Sequence, residues 1–79
     1  MTTVEERVSQ CFLNVFPDIA PSDLPRASQA GLPEWDSLAH VILLSAISEE
    51  FQIEVDDDAV ETLTSYLLVV DYVESQVAA

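Results

Sequence analysis

The stretch Glu34-Trp35-Asp36-Ser37-Leu38 marks the point where an irregular region of the chain gives way to an apolar helix. Pro33 precedes it, and the run Leu38-Ala39-His40-Val41-Ile42-Leu43-Leu44 begins at its last residue. Aspartate and serine are ordinary residues of helix starts, so Asp36 is predicted to be an N-cap and Ser37 the first helical residue. A helix start also carries free N–H groups and a partial positive charge, which suit an attached phosphate. The residues alone therefore leave two interpretations of Ser37: a plain helix start, or a modified or reactive hydroxyl.

The composition indicates one small, strongly acidic domain spanning residues 1–79. The chain has 15 acidic side chains and 2 basic ones, Arg7 and Arg26, which gives a formal net charge of -13. Hydrophobic residues make up 49% of the chain, enough for a small folded core. This charge argues against nucleic-acid binding, which needs cationic contacts to phosphates, and against anionic membrane surfaces. It favours partners that carry basic patches.

The cysteine content and the N-terminal sequence indicate the cellular compartment in which the protein is expected to reside. Cys11 is the only cysteine, so we expect neither a disulfide framework nor a zinc site, and its place on an apolar helix face indicates a buried thiol. The first seven residues lack the basic and apolar regions of a signal peptide. No apolar run approaches the length that spans a membrane. The expectation is a cytoplasmic protein without membrane insertion.

Hydrophobic periodicity predicts an all-α fold, a four-helix bundle of three longer helices and one short helix. Thr3 and Glu6 fit a capping box at the start of the first helix. Residues 52–55 alternate in polarity but have no partner strand, so they are interpreted as an extended connector. The expected helices run from about Thr3 to Val15, from Asp36 or Ser37 to Glu50 or Phe51, from Asp57 to about Thr62, and from a cap at Thr64 or Ser65 to about Gln76.

A long loop is predicted between the first and second helices. It holds all four prolines and the only glycine, which rule out a continuous helix. A short helical turn is expected at residues 22–24 with Ser22 as its cap. A loop of this length must be held by its apolar side chains, namely Phe16, Ile19, Leu24, Leu32 and Trp35.

The apolar residues of the second and last helices define the expected core faces. For the second helix the predicted buried stripe is Leu38, Val41, Leu44, Ala46 or Ile47, and Phe51. For the last helix it is Tyr66, Val69, Val70 and Val73, which leaves Leu67 and Leu68 as extra apolar residues.

Two groups of residues could suggest catalysis or metal binding, but neither has the pattern that this chemistry needs. Ser37 and His40 share a helix face, but a hydrolase would also need a glycine elbow, an oxyanion hole and a pocket, which this small chain does not indicate. His40 is interpreted as a surface residue. Asp56, Asp57 and Asp58 lack the spacing of a calcium loop and fit an acidic helix start. No metal site is predicted.

Several segments together resemble the acyl carrier protein family. They are Trp35-Asp36-Ser37-Leu38, the helix ending Ser48-Glu49-Glu50-Phe51, the segment Gln52-Ile53-Glu54-Val55-Asp56-Asp57, and Asp71-Tyr72-Val73. The similarity runs without gaps from Asp36 to about Val73, roughly half the chain. The long loop with its prolines and the acidic charge fit as well.

This resemblance implies that Ser37 is the attachment site of 4'-phosphopantetheine, with Asp36 beside the phosphate. A phosphopantetheinyl transferase would install the arm from coenzyme A with magnesium, and the arm would carry acyl groups as thioesters. The protein itself would be a monomeric, non-catalytic carrier. Acyl-loading ligases or transferases and later acyl-processing enzymes with basic patches would be its partners.

Two further sets of residues follow from the resemblance. Candidate partner contacts are Leu38, Ala39, His40, Ile42, Glu49 and Glu50. Candidates for sheltering an acyl chain between the second, third and last helices are Val41, Leu44, Ala46, Ile53, Val60, Leu63 and Tyr66.

The sequence departs from the fatty-acid-synthesis members of that family on the second helix. Those carriers typically have acids directly after Asp-Ser-Leu and one turn later, where this chain has Ala39 and Ile42. The departure indicates a specialised carrier with dedicated partners. An aminoacyl or peptidyl carrier, and an unmodified binding module with the same bundle, remain alternatives.

Overall fold

The computed structural model describes residues 3–77, and they form five helices without a β-strand. The all-α prediction is therefore confirmed, with three longer helices, one short α-helix and an additional 3₁₀ helix in the long loop. The helices are α1 (Val4–Val15), a 3₁₀ helix (Pro21–Arg26), α2 (Ser37–Phe51), α3 (Asp57–Thr62) and α4 (Tyr66–Val77). None of the helices within residues 3–77 combines the length and apolar character that a bilayer crossing requires.

Short polar side chains cap the starts of α1, α3 and α4, as the sequence predicts. Each cap supplies an oxygen to a backbone N–H that has no partner within its helix. Because capping depends on residues only a few positions apart, it sets these helix boundaries locally. The bonds run from the Glu6 N–H to Thr3 Oγ1 (3.1 Å), from the Ala59 N–H to Asp56 Oδ1 (2.8 Å), and from the Leu68 N–H to Ser65 Oγ (3.2 Å).

An aromatic cluster forms the centre of the core. Phe12 of α1 meets the ring of Trp35 edge-on at 5.3 Å and the ring of Tyr66 at 5.2 Å. Phe16 lies 5.9 Å from Trp35, so the end of α1 joins the same cluster. All four side chains are buried. Each buried aromatic side chain removes a large apolar area from water, and here the four rings tie α1, the long loop and α4 together.

The long loop is packed against the core as predicted. Phe16 and Leu24 are buried, and Ile19 and Leu32 are half-buried. The prediction that Ser22 caps a short turn is wrong. The turn is a full 3₁₀ helix that starts at Pro21, because proline fits the first turn of a helix, where its missing N–H costs nothing.

Backbone hydrogen bonds join the loop to the segment before α4. The Gln29 N–H donates to the Thr64 carbonyl at 2.8 Å, and the Tyr66 N–H donates to the Ala27 carbonyl at 3.0 Å. Ser28 and Ser65 lie opposite each other between these bonds as an isolated antiparallel bridge. We call this pairing of residues 27–29 with 64–66 the loop seam. It satisfies backbone groups that a long irregular segment would otherwise leave unpaired.

The buried face of α2 differs from the predicted stripe. Leu38 and Val41, predicted to be buried, are exposed, and Ala46 is only half-buried. The helix carries apolar residues around most of its circumference, so periodicity does not define which face turns inward. The residues that face the core are His40, Leu43, Leu44, Ile47 and Phe51.

The substitution Tyr66→Phe tests the polar tie between α4 and α1. The hydroxyl of the buried Tyr66 side chain lies 2.7 Å from Ser9 Oγ and donates to the Glu5 carbonyl at 3.4 Å. Removing the hydroxyl is expected to lower the free energy of unfolding by about 1–2 kcal/mol, the net value of one short and one long hydrogen bond. Urea denaturation monitored by circular dichroism measures the change.

Tyr72→Phe is the matched control. The Tyr72 hydroxyl donates to the Glu54 carbonyl at 3.2 Å in an exposed position. Water replaces that bond readily, so the control is expected to change the free energy of unfolding by less than about 0.5 kcal/mol. Equal losses in the two variants would contradict the role assigned to Tyr66.

Candidate functional site

Ser37 occupies the exposed first position of α2, directly after its cap. Asp36 is extended, and its Oδ1 accepts a hydrogen bond from the Ala39 N–H at 2.8 Å. The N–H groups of Ser37 and Leu38 have no partner within the helix, because the first turn of any α-helix lacks acceptors for them. A group attached to the Ser37 hydroxyl therefore starts at the positive end of the helix dipole.

A groove runs along α2 towards α3, and its first lining residue, Val41, lies one helical turn after Ser37. Val41, Leu44, Ser45 and Ser48 follow Ser37 at helical spacing, so they share its side of the helix. These four residues line a groove of about 340 Å³. That volume lies at the lower end of the range for small-molecule pockets, about 300–1,000 Å³. The remaining lining residues are Glu49, Val55 and Val60.

The predicted acyl-chain residues divide into two groups. Val41, Leu44 and Val60 are brought together in the groove. Leu63 and Tyr66 are instead buried in the core, and Ala46 and Ile53 are packed half-buried against the core. None of these last four lines the groove. Ser45, Ser48 and Val55 also line the groove but were not among the predicted acyl-chain residues. The two serines could have been found from the sequence, because they share a helix face with Ser37.

A larger cavity of about 470 Å³ lies between the end of α1 and the long loop. Phe16, Ile19 and Leu32 form part of its lining, and Asp18 and Glu34 are among its charged residues. No residue of α2 lines it. The groove is the better candidate site, because it begins on the same face of α2 as Ser37, one turn away.

The outer side of α2 presents apolar side chains to solvent. Leu38 is 70% exposed, Val41 55% and Ile42 50%, while Ala39 is half-buried. Large exposed apolar residues in such a cluster on a small domain are unusual and often mark a contact surface. Leu38 and Ile42, both predicted partner contacts, lie on this surface.

The two predicted acidic contacts differ in their surroundings. Glu49 is exposed and lines the groove. Glu50 is also exposed, but it is paired with Arg7: Arg7 Nε donates to Glu50 Oε2 at 2.9 Å, and Arg7 Nη2 donates to the Glu50 carbonyl at 2.7 Å. The Arg7 guanidinium also lies over the Phe51 ring, 4.4 Å from its centroid. A partner that binds Glu50 must therefore compete with Arg7.

The prediction that His40 is a surface residue in contact with partners is wrong. The side chain is only 6% exposed. Its Nδ1 accepts a hydrogen bond from Trp35 Nε1 at 2.9 Å, and its Nε2 lies 2.6 Å from the Val60 carbonyl oxygen. Both ring nitrogens are paired, which removes most of the cost of burying the ring. The sequence alone does not show this pairing, because Val60 is distant along the chain.

Cys11 is buried in the core, where its surroundings disfavour reaction of the thiol. Burial raises the pKa of its thiol, the Glu50 carboxylate adds to the rise, and Arg7 partly opposes it. The thiolate is the nucleophilic form of cysteine, so this environment suppresses reactivity. Within residues 3–77, no three histidine, cysteine, aspartate or glutamate side chains are grouped so as to hold a metal ion.

No model of a known protein family matches this chain. The assignment of a function therefore depends on the residues and on the geometry around Ser37.

Asp36→Ala tests the cap that positions Ser37. Loss of the Oδ1 acceptor leaves the Ala39 N–H without its partner, and we expect the free energy of unfolding to fall by about 1 kcal/mol. Asp36→Asn removes the same charge but keeps an acceptor, so it is expected to stay near the wild-type value. Urea denaturation of both variants gives the comparison, and a loss of equal size in Asp36→Asn would show that charge and not capping is responsible.

Proposed function

We propose that this protein is a carrier whose Ser37 bears a 4'-phosphopantetheine arm, on which acyl groups travel as thioesters between partner enzymes. One observation carries the proposal: an exposed serine stands at the capped start of α2, and a groove with both apolar and polar walls begins on its own face one turn later. The similarity to acyl carrier proteins in the segments around Ser37, Glu49 and Asp57 adds support. The protein would itself be non-catalytic, monomeric and cytoplasmic.

The attachment step uses only the Ser37 hydroxyl of this chain. Ser37 Oγ would attack the pyrophosphate of coenzyme A on the phosphorus nearer the pantetheine, in the active site of a phosphopantetheinyl transferase. A serine phosphodiester forms, the pyrophosphate bond breaks, adenosine 3',5'-bisphosphate leaves, and the serine proton passes to a base. The free N–H groups of the first turn of α2 would then face a phosphate, which they and the helix dipole favour.

The groove gives the arm a path along the protein. Val41 lies about 6 Å along the helix axis from Ser37, and Ser48 lies about 16 Å along it, at 1.5 Å per residue. Val41, Leu44, Val55 and Val60 offer apolar surface, while Ser45 and Ser48 offer hydroxyls. Such mixed walls suit an arm that combines amides with an apolar acyl tail. Apolar cargo placed here would be removed from water.

Mass spectrometry tests the attachment. The purified protein, incubated with coenzyme A, magnesium and a broad-specificity phosphopantetheinyl transferase, is expected to gain the mass of one phosphopantetheine. Ser37→Ala is expected to abolish the gain, because the hydroxyl is the only proposed acceptor. Ser45→Ala is the matched control, since Ser45 is also exposed on α2 and should leave the gain intact.

The absence of any gain with several transferases would favour the unmodified binding module. A gain that survives Ser37→Ala would place the arm elsewhere. An aminoacyl or peptidyl carrier would show the same gain, and identification of the thioester on protein purified from its source separates that alternative.

The exposed apolar side chains of α2 support a specialised carrier with dedicated partners. General fatty-acid carriers meet basic enzyme patches with acids at the positions of Ala39 and Ile42. Here those positions give no charge, so a general enzyme would lose two attractive contacts. The overall charge of -13 would still attract basic surfaces at long range. Recognition would then depend on apolar contact with Leu38, Val41 and Ile42.

A kinetic comparison tests this specialisation. A general fatty-acid ketosynthase is expected to process the acylated protein with a kcat/KM at least about tenfold below that of its own carrier, because two charge contacts are missing. The double substitution Ala39→Glu with Ile42→Glu should narrow the gap. Leu67→Glu adds one acid on α4, where the side chain is 61% exposed, and should not narrow it. Equal kcat/KM values for the wild-type protein and the general carrier would contradict the proposed specialisation.

A further inference from the structure

The cavity between the end of α1 and the long loop, which we call the loop cavity, lies apart from Ser37 and its groove. Its volume is about 470 Å³, and none of its lining residues also lines the groove. Small-molecule sites in proteins occupy about 300–1,000 Å³. The loop cavity is therefore large enough to hold a ligand of its own.

Apolar side chains form part of the wall of the loop cavity. Phe16 is buried, and the other apolar members are half-buried; they are Val15, Ile19, Ala27 and Leu32. A ligand that covers half-buried apolar side chains removes their remaining surface from water, which favours binding. An occupant of this cavity therefore needs an apolar body.

The charged groups of the loop cavity are unbalanced. Arg26 Nη2 lies 3.0 Å from Asp23 Oδ1, so this ion pair contributes no net charge. Asp18 and Glu34 are the other two charged residues of the wall. Neither forms an ion pair within residues 3–77. Two uncompensated carboxylates beside one cavity are complementary to a cation.

The backbone of the loop cavity disfavours an anion. An anion is held by hydrogen-bond donors, and Pro17 has no N–H to offer. The N–H groups of Ile19, Asp23, Ala27 and Leu32 already donate to backbone carbonyls within the loop. An ammonium group brings three donors of its own and needs acceptors, which carboxylates supply.

The wall of the loop cavity is fixed by contacts outside it. The loop seam ties residues 27–29 to the segment before α4, and the buried Leu24 anchors the 3₁₀ helix. Trp35, which follows Glu34, is buried in the aromatic cluster. Because these contacts exist without a ligand, little ordering is required when one binds.

We propose that the loop cavity binds a small amphipathic amine. Its apolar body lies against Phe16 and Leu32, and its ammonium group faces the carboxylates of Asp18 and Glu34. This site goes beyond the proposed carrier function and does not depend on an arm at Ser37.

Titration of the isotope-labelled protein with tryptamine, followed by NMR, tests the site. Tryptamine carries an ammonium group on an aromatic body, and tryptophol has the same body with a hydroxyl in its place. Tryptamine is expected to shift the amide signals of Ile19, Ala27 and Leu32 saturably, with a Kd near about 1 mM. At about 0.15 M salt, tryptophol should bind about fivefold more weakly, because it forms no ion pair.

Asp18→Asn combined with Glu34→Gln is the decisive variant, because it removes both charges and nearly keeps the size of the side chains. Its Kd for tryptamine is expected to rise about fivefold, to that of tryptophol. Asp71→Asn combined with Glu74→Gln is the matched control. It removes two exposed acids from α4, outside the cavity, and should change the Kd by less than about twofold.

Three results would overturn the proposal. Equal Kd values for tryptamine and tryptophol would show that the cavity does not select a cation. An equal rise in Kd in the two double variants would show that only the overall charge of the protein matters. Amide shifts centred on the groove residues Val41 and Ser45 would place the ligand elsewhere. Ser37→Ala is expected to bind tryptamine as the wild type does, so a failure of the carrier function leaves this test unchanged.

Discussion

The burial of Trp35 is the constraint on which the rest of this structure depends. Its side chain is 1% exposed and packs against Phe12 and Phe16, so the end of the long loop is fixed to α1. Only Asp36 separates it from Ser37. Because the backbone between them is short and Asp36 is fixed as a cap, the place of Trp35 determines where α2 begins and where Ser37 meets solvent. The indole N–H of Trp35 also donates a hydrogen bond to His40 Nδ1, so one side chain links the core to the neighbourhood of the groove.

The surface combines a strong negative charge with a set of exposed apolar side chains on α2. Both arginines are engaged within the protein, Arg7 with Glu50 and Arg26 with Asp23. The acidic surface is therefore almost uncompensated, which favours long-range attraction of basic partners at low salt. On the outer face of α2 the apolar side chains of Leu38 and Ile42 are exposed. A surface of this kind would attract many basic proteins and retain those with a matching apolar site.

Local chemistry made most of the fold predictable. The caps at Thr3, Asp36 and Asp56 depend on residues three positions away, and the helix bounds followed from them. Proline density located the long loop, although the 3₁₀ geometry needed the position of Pro21. In these cases the deciding interactions lie within one or two turns of the chain.

The orientation of α2 and the environment of His40 were not predictable in the same way. Leucine, isoleucine and valine occupy several sides of α2, so its rotation is set by the shape of the remaining core and not by its own sequence. Burial of His40 depends on Trp35 and Val60, which approach it only in the folded chain. Val41, Leu44 and Val60, three of the residues expected to shelter an acyl chain, line the groove. Helical spacing from Ser37 also pointed to Ser45 and Ser48, whereas the approach of Val55 depends on the folded chain.

The loop seam has a consequence for how the chain folds. Helix caps and helical hydrogen bonds form within short segments, on fast timescales. The pairing of Ser28 with Ser65 instead closes a large loop that contains all of α2 and α3. Its entropic cost is recovered only after both helices have docked on the aromatic cluster. We therefore expect the seam to form late in the folding reaction, when the start of α4 takes its final register.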